Sequence, residues 1–80
     1  MMLHIIVKLF PGRLEHQKNR LAEEIVTNVV AIAKCEKESV SVAFEEINPE
    51  DWAKKVHRPD ILHNWHKLYK KPGYSLFDQY

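Results

Sequence analysis

Leu3 to Phe10, LHIIVKLF, is dense in branched and aromatic side chains and runs straight into Pro11-Gly12. That composition, closed by a turn signal, predicts a β-strand. Alternation puts Leu3, Ile5, Val7 and Leu9 on one face and His4, Ile6, Lys8 and Phe10 on the other. The second face is mixed rather than polar, so both faces are expected to meet protein.

Outward from this strand, residues from Leu14 to about Lys34 have helical spacing, with Leu14, Leu21, Ile25, Val29 and Ile32 on one stripe. Glu15, Glu23, Glu24 and Asn28 fall off it. No good cap residue precedes the helix, so Gly12 or Arg13 must serve as its start. Ser39 to Ile47 (SVSVAFEEI) alternates again, with Val40, Val42 and Phe44 on one side and Ser41, Ala43 and Glu45 on the other. Two strands joined by a helix of this length predict a parallel pair with a right-handed crossover.

Asn48-Pro49-Glu50-Asp51 is a helix-start signal: a cap, a proline suited to the first turn, and two carboxylates facing the helix dipole. A second start is expected at Pro59-Asp60. From there Ile61, Trp65, Leu68 and Tyr69 would form an apolar face running to Lys70-Lys71 and the stop Pro72-Gly73. The tail from Tyr74 to Tyr80 is apolar enough to dock. The fold class is therefore α/β (α+β), a β-α-β unit with a short C-terminal helical segment.

Eighty residues make one small domain, 1–80, with one cysteine and a formal net charge of +1. A core of this size is marginal alone, a lone cysteine gives almost no disulfide capacity, and a two-stranded sheet leaves open edges. A homodimer or higher homo-oligomer is the expected remedy, its sheet extended by pairing. The balanced charge gives no pull toward nucleic acid or membrane. Residues 3–10 are too short to span a bilayer, and no leader pattern flanks them. A lone thiol suits a reducing compartment, so a cytoplasmic protein is expected. Serine-protease, phosphate-loop and zinc-finger patterns are missing.

Several motifs, in their order and spacing, carry a resemblance. Pro11-Gly12-Arg13-Leu14-Glu15-His16-Gln17-Lys18 reads as a strand-to-helix junction with a Gly-Arg, an acidic residue and Gln-Lys. It is followed by Ser39-Val40-Ser41-Val42, Asn48-Pro49-Glu50-Asp51-Trp52 and Lys70-Lys71-Pro72-Gly73-Tyr74-Ser75. Together, from about Leu3 to Ser75, the chain resembles the 4-oxalocrotonate tautomerase family, and within it a longer bacterial subgroup that forms dimers. The resemblance implies an isomerase that shifts a proton on a 2-hydroxydienoate or enolpyruvate, a small carboxylated enol, without a cofactor or metal. In that family an amino-terminal proline is the base. One arginine grips the substrate carboxylate, a second, from another subunit, polarises the carbonyl oxygen, and an aromatic residue walls the pocket.

Residue by residue, Arg13 matches the first arginine and Trp52 the aromatic wall. Ser41 stands where the second arginine would be, and Leu3 where the proline would be. The four prolines are internal and have no free amine. Met1 is expected to stay attached, because Met2 is large. The α-amino group of Met1 is one substitute base, less basic than a lysine. Ketonisation of phenylenolpyruvate that survives amino-terminal acetylation would exclude it. His4 is another, but alternation turns it away from the face of Leu3.

The plainer readings stand beside these. Arg13 at a helix start opposes the dipole, where an anion is favoured, which calls for a functional reason. Trp52 is as easily core or interface. Ser41 reads as an ordinary strand residue. His63 and His66, three apart, with His57 nearby and Asp60 the only local carboxylate, suit the polar side of an amphipathic helix better than a metal site. His16 and Lys18 read as solvated helix surface. Cys35 reads as an inert thiol. Glu45 and Glu46, being adjacent, point to opposite faces and form no acid/base pair. Two functions follow. One is a tautomerase-type isomerase. The other is a non-catalytic family member that binds a small carboxylate or serves as an oligomer-forming subunit.

Overall fold

The computed structural model describes residues 1–74, so Ser75 and the tail to Tyr80 lie outside the described residues. The chain forms two compact units, Met1–Glu46 and Ile47–Tyr80.

The first unit is β1 (Leu3–Leu9), α1 (Glu15–Ala33) and β2 (Val40–Glu46), with a 3-10 turn, Lys37–Ser39, leading into β2. The strands are parallel, with Leu3 opposite Val40, His4 opposite Ser41, Ile5 opposite Val42 and Leu9 opposite Glu46. This register keeps Leu3, Ile5, Val7, Val40, Val42 and Phe44 on one face, as alternation requires. On that face Val40 and Val42 border a recess together with Ala22 and Val26 of α1.

The helix therefore packs by a stripe that shares only Ile25 and Val29 with the one its large residues suggest. Ala22, Ile25, Val26, Val29, Val30 and Ala33 are half-buried, whereas Leu14 and Leu21 are exposed and Ile32 is 79% exposed. The alanines carry no bulk, so they let the helix backbone approach the sheet. Counting only large apolar side chains rotates the stripe toward solvent. Ile6 and Phe10, on the far face of the sheet, are also exposed.

The start of α1 falls at Leu14 rather than at Gly12 or Arg13. Leu14 has no side-chain acceptor. Instead its backbone N–H donates to Gln17 Oε1 at 2.8 Å, while Gln17 N–H donates to the Leu14 carbonyl at 3.0 Å. Gln17 thus supplies half of a capping box. Lys18 is not the solvated residue expected. Its side chain is only 20% exposed, and its ammonium meets Glu46 at 3.3 Å, fastening the start of α1 to the last residue of β2. The helix ends at Lys34, in the left-handed region with φ 60° and ψ 51°.

In the second unit, the turn Pro49–Asp51 follows Asn48, whose side chain makes no capping bond; its carbonyl accepts from Asp51 N–H at 2.9 Å. A helix of π type, α2, then spans Ala53–Leu62. Pro59 lies inside α2 and does not start a new helix. Proline clashes with the carbonyl four residues back in an α-helix and has no N–H to donate. The wider π turn, with bonds five residues apart such as His63 N–H to the Arg58 carbonyl at 3.1 Å, absorbs it. The expected helix from Ile61 to Lys71 is likewise not formed. Asn64 Nδ2 donates to the carbonyls of Pro59 and Asp60, each at 3.3 Å, closing α2. Only a 3-10 turn, Trp65–Lys67, follows. Val56 and His57 are buried, His57 at 1% exposure.

Candidate functional site

Parallel pairing brings the start of β1 beside the start of β2. Met2, Leu3, His4, Glu38, Ser39, Val40 and Ser41 there line a shallow recess of about 370 Å³. Leu3 and Ser41, the positions where the resemblance puts the proline and the second arginine, are thus neighbours. Leu3 is half-buried and opens β1, while Ser41 is exposed. They point to opposite faces, since Leu3 is opposite Val40 and Ser41 is opposite His4. The side chain that does meet Ser41 is His4, with Nδ1 and Oγ 2.7 Å apart. Alternation predicts that His4 faces away from Leu3. It does face away, and so does Ser41. The sequence held the signal, but only the register of two distant strands reveals the pairing.

Arg13 lies elsewhere. It sits between Gly12, at φ +121°, and Leu14 at the start of α1. A side chain at Gly12 would be strained at that φ, so the glycine sets the approach of the chain to Arg13. The Lys18–Glu46 pair fixes the start of α1 at the carboxyl ends of both strands. Leu3 to Leu9 is six residue steps, or about 20 Å of strand. Within one chain, Arg13 is therefore out of reach of the recess at Leu3 and Ser41. Arg13 is exposed and, among the described residues, forms no ion pair with a carboxylate. Its guanidinium donors are unused among the described residues.

Trp52 belongs to the second unit. It is half-buried at the entry to α2, and its indole N–H donates to the Tyr74 hydroxyl at 3.1 Å. The Tyr74 ring lies 5.4 Å from the buried ring of His57, tilted by 42°. Trp52, His57 and Tyr74 form an aromatic cluster that was not legible in the sequence, where His57 reads with His63 and His66. Those two are exposed, and among the described residues no three His, Cys, Asp or Glu side chains come together as a metal site. Met1 is exposed beside the recess-lining Met2. No helix among the described residues is long and apolar enough to cross a membrane.

Comparison with known proteins identifies the family. The sequence matches the family described as Tautomerase enzyme over residues 4–60. It is 43% identical over 75 residues to Tautomerase PptA of Pectobacterium atrosepticum, covering 92% of this chain and 99% of that one. A Probable tautomerase of Xylella fastidiosa is 37% identical over 74 residues, covering 92% of this chain and 90% of that one. Among solved structures, YwhB, a homologue of 4-oxalocrotonate tautomerase, matches with a TM-score of 0.56 at 28% identity, over 57% of this chain and 75% of that chain. The parallel β-α-β unit, the Gly-Arg junction and these similarities lead to one conclusion: the chain belongs to the tautomerase family.

Proposed function

We propose that this protein is a tautomerase acting on small carboxylated enols or keto acids of the 2-hydroxydienoate or enolpyruvate type. Its site is completed between two copies of the chain. Arg13 of one copy grips the substrate carboxylate, and the recess at Leu3 and Ser41 of the other receives the reacting end. The observation that carries this reading is Arg13. It is an exposed guanidinium with no carboxylate partner among the described residues, held at a helix start where the dipole favours an anion. Trp52 takes the position of the family's wall aromatic. Residues 1–80 act as one tautomerase-like domain, since the family match runs across the junction of the two units. No cofactor is required.

Association is supported by what one chain leaves uncovered. A two-stranded parallel sheet has two open edges. Ile6 and Phe10 on its far face and Leu14, Leu21 and Ile32 on α1 are exposed. A homodimer or larger ring would cover them. The lone cysteine suits the cytoplasm.

A second reading is supported by Leu3, which supplies no amine at the position of the family's proline. On that reading the protein binds a small carboxylate, or serves as an oligomer-forming subunit, without turnover. Ketonisation of phenylenolpyruvate separates the two. The tautomerase reading expects a rate well above that of buffer, lost or weakened in Arg13→Ala. Turnover at the buffer rate, with the ligand still bound, would favour the second reading.

A further inference from the structure

We infer that His4 is the catalytic base of this tautomerase and that Ser41 is its partner, the pair standing in for the proline that Leu3 has replaced. The inference rests on the tautomerase reading above and deepens it.

The strand register carries the argument. His4 and Ser41 are 37 residues apart in sequence but directly opposite across the parallel pair, with Nδ1 and Oγ at 2.7 Å. Both residues line the recess at the start of the strands, and in the single chain both are exposed. A hydrogen bond at one ring nitrogen fixes what the other can do. With Nδ1–H donating to Ser41 Oγ, the lone pair at Nε2 is open as a base. When Nε2 takes a proton, the same Nδ1–H bond persists and becomes charge-assisted. Ser41 Oγ, accepting from His4, keeps its own hydrogen free to donate to a substrate oxygen. The opposite arrangement, Ser41 donating to Nδ1, would require Nε2–H and leave no basic nitrogen free.

The chemistry balances without a co-reactant. His4 Nε2 takes the enol proton: the O–H bond breaks and an N–H bond forms. The electron pair of the carbon–carbon double bond then takes that proton back at carbon. A C–H bond forms, the N–H bond breaks, and a carbonyl remains, its oxygen held by the Ser41 hydroxyl. One proton has moved from oxygen to carbon. Positioned acid–base groups of this kind contribute about 10²- to 10⁴-fold to rate.

The test uses the full-length protein and phenylenolpyruvate. His4→Ala is expected to lower kcat by about 100-fold or more with a smaller change in KM. Added imidazole should restore part of the lost rate, which a structural role would not allow. Ser41→Ala should cause a smaller loss of kcat. Nitrogen-15 spectra of His4 should show the proton on Nδ1 in the neutral ring. Unaltered turnover in His4→Ala would overturn the base while leaving the tautomerase reading intact. A neutral ring protonated at Nε2 would do the same. Buffer-rate turnover by the unaltered protein would remove both.

Discussion

Truncating Arg13 should damage binding while sparing the fold, and the structure gives the size of each effect. Among the described residues Arg13 forms no ion pair, and its side chain is exposed. Arg13→Ala therefore removes nothing that the folded chain uses, and stability should stay within about 0.5 kcal/mol of the parent. A cation at a helix start opposes the dipole, so any small change should favour the variant. Binding is a different matter. A hydrogen bond to a charged partner is worth about 1.5–3 kcal/mol, which corresponds to roughly a 10- to 150-fold rise in KM or in the Kd of a carboxylate ligand. Arg13→Lys keeps the charge but loses the planar fork that meets a carboxylate with two parallel bonds, so it should fall between the two. The assay is steady-state ketonisation together with urea unfolding, both at one fixed chain concentration, because association couples to stability. A KM unchanged in Arg13→Ala would refute the anion site. A stability loss of several kcal/mol would show that Arg13 has a structural role.

Two further outcomes follow from the helix. Lys34→Gly should raise stability by roughly 0.5–1 kcal/mol, since left-handed backbone costs a side chain about 1–2 kcal/mol and glycine's freedom in the unfolded chain offsets part of the gain; thermal unfolding should shift upward by a few degrees. Lys18→Met should cost about 0.5 kcal/mol by removing the pair with Glu46, and the difference between parent and variant should shrink in high salt, as urea titrations at two ionic strengths would show.

Much of the fold can be read from local pattern. LHIIVKLF is dense in branched and aromatic residues and SVSVAFEE alternates, and both strands form where these patterns place them, to within one residue of their ends. The helix between them is equally plain, but its packing face is not. Alanine carries little weight in a hydrophobic count, yet Ala22 and Ala33 lie on the half-buried side while Ile32 faces solvent. Pro59 misleads for a related reason. A proline after polar residues reads as a helix start, and nothing local announces the π turn that accommodates it. The site divides in the same way. Gly12-Arg13 is contiguous and can be recognised from sequence. His4 with Ser41 depends on the register of two strands 37 positions apart, and Trp52 with Tyr74 on a contact across 22 positions, so neither pair leaves a local trace.

The claim that the site is shared between copies can be tested by mixing two damaged chains. Arg13→Ala lacks the carboxylate grip. Ser41→Glu puts a larger, charged side chain into the recess that receives the reacting end and removes the hydroxyl beside His4. Each alone should turn over phenylenolpyruvate poorly. If Arg13 of one copy serves the recess of the other, a mixed dimer holds one site with neither change. Equal amounts of the two chains, unfolded and refolded together, should then recover about a quarter of the parent rate, since half of randomly paired dimers are mixed and each carries one intact site of two. A mixture no more active than the average of its components would contradict the shared site.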